Sequence, residues 1–328
     1  MPDAAMSRLR VIWLRPLAVL TTAGMFLVLL MGAAVTNTGS AEGCGRSWPL
    51  CHGELIPEFT VSTAIEYSHR AVTGVEGLLV AALTVAMLST WRRDREVLVL
   101  ALLMLGTLLL QAGLGAGAVL VPQSPFMLAT HFGVSLVCFA ATFLSTVVVF
   151  ERTRGIVPSA GPVPAALRTW VLGIGVYVLF VVYLGAYVRH AGVSLACADW
   201  PLCNGQVIPS FEGPTGFVFA HRLAALGAVV LLAALVYATR VARTGQRAAV
   251  LAVHLVVLQA LSGALVVWTQ LGLFSTLAHA AIMALLFAAL AHLARLVLRP
   301  EAGPERVLLT VPQVSSGAGQ RRAAEHVH

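Results

Sequence analysis

Residues 43–59 read GCGRSWPLCHGELIPEF, and residues 196–211 read ACADWPLCNGQVIPSF. Ten residues after the closing phenylalanine of each copy stands the same dipeptide, His69-Arg70 and then His221-Arg222. A cysteine pair followed by a histidine, written twice between apolar stretches, specifies two related sites in one chain. The repeat extends in both directions. Upstream, Gly32-Ala33-x-Val35 with Gly39 and Cys44 matches Gly185-Ala186-x-Val188 with Gly192 and Cys197 at one offset. Downstream, Leu110-Gln111-Ala112 answers Leu258-Gln259-Ala260, and Ala129-Thr130-His131 answers Leu277-Ala278-His279.

The 328 residues are 59% hydrophobic and 11% charged, whereas a soluble domain carries about 25% charged residues. Such a chain cannot cover a surface facing water on all sides. Eight apolar segments, near 16–36, 65–90, 97–120, 127–150, 168–188, 217–240, 248–270 and 275–298, are each long enough to cross a hydrocarbon core as a helix. Lipid offers backbone polar groups no partner, so spanning segments of this kind are helical. The expected fold is an all-α integral membrane protein with eight transmembrane helices in two pseudo-symmetric four-helix bundles. The bundles cover 1–155 and 165–300, joined by the Pro/Gly-rich stretch 155–164, with a disordered tail over 301–328 holding His326 and His328. The first segment could be mistaken for a signal peptide, but its match to the fifth argues that it is retained.

All 21 basic residues are arginine, and all but Arg46, Arg70, Arg189 and Arg222 fall at the N-terminus, in the 91–96, 151–168 and 240–247 loops, or toward the C-terminus. The positive-inside rule then puts both termini in the cytoplasm and both cysteine loops outside, where disulfides persist. The net charge of +7 is dispersed between apolar runs, which does not suit nucleic acid. Cys44 and Cys51, and likewise Cys197 and Cys203, are spaced to close small disulfide loops, geometry permitting. The second pair reads as a staple; the first reads as a staple or as a redox participant. Cys138 stands alone within the fourth segment and reads as a small apolar residue.

His69, His131, His221 and His279 obey the repeat, one on the second and one on the fourth helix of each bundle at similar depth. A single intramembrane histidine is readily explained by an interhelical hydrogen bond; four in matched pairs suit axial ligation of haem iron. Zinc would want more converging ligands. Gly74, Gly77, Gly133 and Gly227 leave room for a flat ring. Arg70 and Arg222 are candidates for haem propionates, or are snorkelling arginines. His254 and His292 break the repeat and read as structural groups or as a further inner haem site. His52 and His190 fall in the outer loops and do not match each other.

The bundles differ at one telling place. Glu66 precedes His69 by three residues on the same helical face, where the second copy has Val218. It is either a solvated residue near a helix start or a carboxylate able to hold a cation, move a proton or stabilise positive charge. Glu76, two turns beyond His69, belongs to a proton path or is a structural polar group. The first bundle is therefore the expected reaction site and the second the holder of a permanent redox cofactor.

Taken together, Glu66-x-x-His69-Arg70, His131, His221-Arg222, His279 and the paired loop cysteines resemble the haem A synthase family over residues 10–300. The abundant alanine and arginine suggest a bacterial member. The resemblance implies a multi-pass protein of the cytoplasmic membrane that oxidises the C8 methyl of haem O to a formyl group, making haem A for aa3-type oxidases with water as the oxygen source. It further implies that His221 and His279 ligate a haem b, that His69 and His131 bind the substrate haem, and that Glu66 is essential. Partners implied are membrane lipid, haem O synthase, oxidase assembly factors and, for the assembly, a homo-oligomer. The competing readings are a di-haem quinol cytochrome b, a haem-handling protein, and a thiol–disulfide oxidoreductase that leaves the histidines unexplained. No motif identifies the electron acceptor.

Overall fold

A computed structural model describes residues 2–121, 123–156 and 162–299. Among them are eight helices: α1 Pro2–Asn37, α2 Val61–Trp91, α3 Arg95–Leu120, α4 Pro125–Thr153, α5 Ala165–His190, α6 Gly213–Val241, α7 Gln246–Trp268 and α8 Leu273–Leu298. Each is long and apolar enough to cross a membrane. The expected spans agree with these helices to within a few residues except at α1. That helix continues through Pro16 to Pro2, although its membrane-length apolar portion begins only at Ile12. The predicted tail over 301–328 and residues 157–161 of the 155–164 joint lie outside the described residues.

The boundaries follow local chemistry. Thr60 caps α2 by accepting the Thr63 N–H, Asp94 caps α3 through the Glu96 and Val97 amides, and Ser124 caps α4 with Pro125 at its first position. Side-chain oxygens at these places satisfy amides that the first helical turn leaves without partners.

The helices α1–α4 pack as a ring in chain order, closed by α4 on α1, and α5–α8 close a second ring in the same way. In the first ring α2 and α4 stand across from each other, each flanked by α1 and α3; α6 and α8 stand likewise in the second. The rings meet through α4 on α5 and α8, and α1 on α8. A buried apolar core containing Met25, Leu136, Val171, Leu232 and Leu286 runs through that junction.

The two ends of the molecule are tied differently. At one end, Arg295 of α8 bonds Glu96 of α3 and Glu151 of α4, Arg299 bonds Glu151, and Arg152 bonds Asp94 and Glu96. This network joins the rings with charges whose arginine partner Arg295 is almost wholly buried. The other end carries both cysteine loops.

Candidate functional site

At that other end the two loops fold on one plan. Cys44 is bonded to Cys51, and Cys197 to Cys203. The second cysteine of each pair forms a tight antiparallel bridge, with Glu54 in one loop and Gln206 in the other. The arginine that follows the first repeat histidine of each copy, on α2 and α6, staples its loop down. Arg70 donates to the Ser47 and Leu50 carbonyls at 2.7 and 2.9 Å. Arg222 donates to the Asp199 and Leu202 carbonyls at 2.9 and 2.6 Å, and to the Cys197 carbonyl at 3.1 Å. Both guanidinium groups thus hold the rim of the bundle in shape.

Glu66 is where the plans part. It is only 4% exposed, so it is not a solvated residue of the first turn. Its Oε1 pairs with Arg70, and its Oε2 accepts the Cys44 N–H at 2.8 Å. The carboxylate is therefore locked between the arginine beside His69 and the backbone of the disulfide loop. Thr63 adds a second tie, donating to the Gly43 carbonyl at 2.8 Å. In the other copy Val218 is buried against Cys197, Cys203 and Val188. An acid locked in place on one side is matched by plain apolar packing on the other.

The four repeat histidines are half-buried and lie on the helices that stand across each ring. His69 is within electrostatic reach of His131, and His279 of His221. Nδ1 of His69, His131 and His221 is buried without a protein partner. Each ring rests on a glycine of a flanking helix: His69 on Gly32 of α1, His131 on Gly115 of α3, His221 on Gly185 of α5 and His279 on Gly263 of α7. A methyl group added at Gly32, Gly115 or Gly263 would stand 3.4, 3.3 and 3.3 Å from the imidazole, and at Gly185 it would collide with it. Absent side chains at these four positions set how far each imidazole can lie back toward the wall of its ring. His279 has fixed side-chain polar company, with Ser262 Oγ 2.8 Å from Nδ1 and Gln259 Nε2 3.0 Å from Nε2. Among the described residues no three His, Cys, Asp or Glu side chains converge on a metal-sized point; the imidazoles come in facing pairs. Paired, half-buried imidazoles, three of them with an unpartnered Nδ1, on helices held apart and backed by glycine, fit a haem in each ring.

The remaining histidines separate. His254 is exposed on α7 and is 2.8 Å through Nδ1 from the carbonyl of Val250 one turn back. His292 lies edge-on to Phe143. His52 joins its own loop, with Nε2 2.9 Å from the Gly43 carbonyl. His190 is the last residue of α5 rather than a loop residue, and it comes within electrostatic reach of His131. The second ring thus sends a histidine toward the first. Sequence reading passed over it because Asn37 stands at the matching position; Gln259 and Ser262 were missed because neither is an uncommon residue in a helix. The repeated Leu-Gln-Ala motif was the available signal for Gln259.

Comparison with known proteins gives one consistent result. Residues 57–291 match the family COX15-CtaA, described as cytochrome oxidase assembly protein. The chain is 41% identical over 292 residues to a heme A synthase of Symbiobacterium thermophilum, covering 87% of this chain and 95% of that one. It is 40% identical over 290 residues to a heme A synthase of Alkalihalophilus pseudofirmus, covering 86% and 97%. A heme A synthase of Geobacillus thermodenitrificans is 40% identical over 289 residues, covering 87% and 91%.

Proposed function

The chain belongs to the COX15-CtaA family of cytochrome oxidase assembly proteins, and from that premise we infer that it is a haem A synthase, an oxidoreductase acting on haem O in a bacterial cytoplasmic membrane. The observation that carries the reading at the level of residues is the asymmetry of two otherwise matched histidine pairs. Glu66 is locked beside one pair and Val218 stands beside the other.

The ring α1–α4 is the substrate half, with His69 and His131 holding haem O by its iron. The ring α5–α8 is the cofactor half, where His221 and His279 would hold a haem b by its iron. A haem b held there would supply a one-electron acceptor for the oxidation. The cysteine loops lie on the outer face of the membrane and both termini in the cytoplasm.

The reaction is oxidation of the C8 methyl of haem O to a formyl group. Each of two rounds takes a C–H hydrogen from the methyl carbon, adds the oxygen of one water and releases two electrons and two protons. The second round leaves two hydroxyl groups on that carbon, and loss of water gives the aldehyde. Glu66 serves this chemistry through position. Its charge, fixed by Arg70 and the Cys44 amide, lies where positive charge on the reacting carbon is favoured and an incoming water can be oriented. The loop above it, stapled by Arg70, limits access of bulk water. Arg70 and Arg222 keep N–H groups in reserve at the rim and are suited to the propionates. The disulfide Cys44–Cys51 acts here as the frame of the acid.

The test is expression in a host that makes haem O and no haem A, with haem chromatography. Appearance of haem A is expected; unchanged haem O with two b-type haems bound would favour the di-haem cytochrome instead.

A further inference from the structure

Two turns below His69 and His131, seven residues further along each helix, the two rings differ again. The first ring has Glu76 on α2 and Cys138 on α4 in this layer. At the matching positions the second ring has Ala228 and Leu286, both buried and apolar. Glu76 is 2% exposed and neither of its carboxyl oxygens has a hydrogen-bond partner. Its carboxyl lies against Gly24 of α1, where a Cβ would overlap it. Gly24 is matched by Tyr177 of α5, which fills the equivalent space against Gly227 and donates its hydroxyl to the Ala224 carbonyl at 3.0 Å. One slot is closed by a tyrosine whose polar atom is satisfied. The other is left with an acid that has no partner in the protein, within electrostatic reach of Cys138.

An unpartnered carboxyl group in an apolar bundle costs free energy, and a ligand that supplies the partner recovers it. Seven residues of helix place Glu76 about 10 Å deeper than His69 on the same face. We propose that Glu76, with Cys138 nearby, is a subsite for the hydroxyl group on the farnesyl-bearing side chain of haem O, and that it selects haem O over haem b. The inference rests on the reading of α1–α4 as the substrate half. Haem O carries an alcohol at the carbon joining its tail to the ring, where haem b has a vinyl group. A carboxyl group both donates to and accepts from an alcohol; a vinyl group leaves it bare. In the half assigned to haem b, Ala228 and Leu286 stand here and the Tyr177 hydroxyl is already spent on the Ala224 carbonyl, in keeping with a ring that carries no alcohol.

The experiment is equilibrium titration of the purified full chain with haem O and with haem b, reading the part of the absorption change that is lost in His69→Ala. Wild type should bind haem O about tenfold or more tightly than haem b, as expected when a buried polar group is satisfied by one ligand and stranded by the other. Glu76→Leu should bind both alike, with haem b bound no more weakly than by wild type, and Glu76→Gln should keep part of the preference. Equal affinities in wild type, or an undiminished preference in Glu76→Leu, would overturn the subsite. A wild type that takes up neither haem in a His69-dependent manner would overturn the haem reading of α1–α4 itself, which is a separate outcome.

Discussion

Glu66 Oε2 accepts the backbone N–H of Cys44 at 2.8 Å, so the acid of the proposed reaction site and the first disulfide loop are one mechanical unit. The bond spans 22 residues of sequence and exists because Cys44–Cys51 closes its loop directly over the start of α2.

Opening that loop should therefore impair chemistry more than cofactor binding. Cys44→Ser/Cys51→Ser is expected to lower conversion of haem O about tenfold, the scale of one lost charge-assisted hydrogen bond, with the haem content of α5–α8 unchanged. Haem chromatography and the absorption spectrum of the same preparation check both parts. Cys197→Ser/Cys203→Ser should show no such selective loss, because no acid hangs from that loop.

Glu66→Gln preserves shape and a hydrogen-bond acceptor while removing the charge. It should reduce conversion by about 100-fold or more, in the range lost with a group acting on transition-state charge or protons, and leave haem O bound. Single-turnover conversion in the purified variant measures it. A normal rate would remove Glu66 from the mechanism.

Gly185 gives a probe of the cofactor half. A methyl at this position would meet the His221 ring, so Gly185→Ala should displace the imidazole and lower resident haem content, visible as a weakened b-type spectrum. Gly32→Ala, whose methyl would stand 3.4 Å from His69, should be milder and should affect haem O uptake only.

The end opposite the disulfides has its own pH signature. Burial pushes the pKa of Asp94 up, but the ion pair with Arg152 and the Glu96 and Val97 amides outweigh it and hold the carboxyl below its usual range. A folded-state value below the unfolded one means a stabilisation that is complete above about pH 4 and lost as pH falls through the folded-state value. The difference in thermal midpoint between wild type and Asp94→Asn should thus be constant from about pH 7 to 5 and shrink below about pH 4.

Much of this architecture was readable from the chain. The eight spans came from apolar runs, and the histidine pairs came from a repeat that keeps histidine where neighbouring positions differ. Glu66 was legible because Val218 replaced it in an otherwise faithful copy. Its environment was not: a carboxylate near a helix start looks solvated until a loop from 22 residues away is seen to cover it. His190 was misplaced in a loop because the helix end at Arg189-His190 has no stop signal stronger than Gly192. The slot shared by Gly24 and Glu76 on one side and Tyr177 and Gly227 on the other was invisible, since a large-for-small exchange between neighbouring helices appears only in packing.

The division of labour is tested most directly by the pigment content of two purified variants, His69→Ala/His131→Ala and His221→Ala/His279→Ala, from a host that makes haem O but no haem A. The first should keep its b-type haem and lose haem O; the second should lose the b-type haem and still accumulate haem O. Loss of both pigments from each variant, or of neither from either, would contradict two separate haem sites.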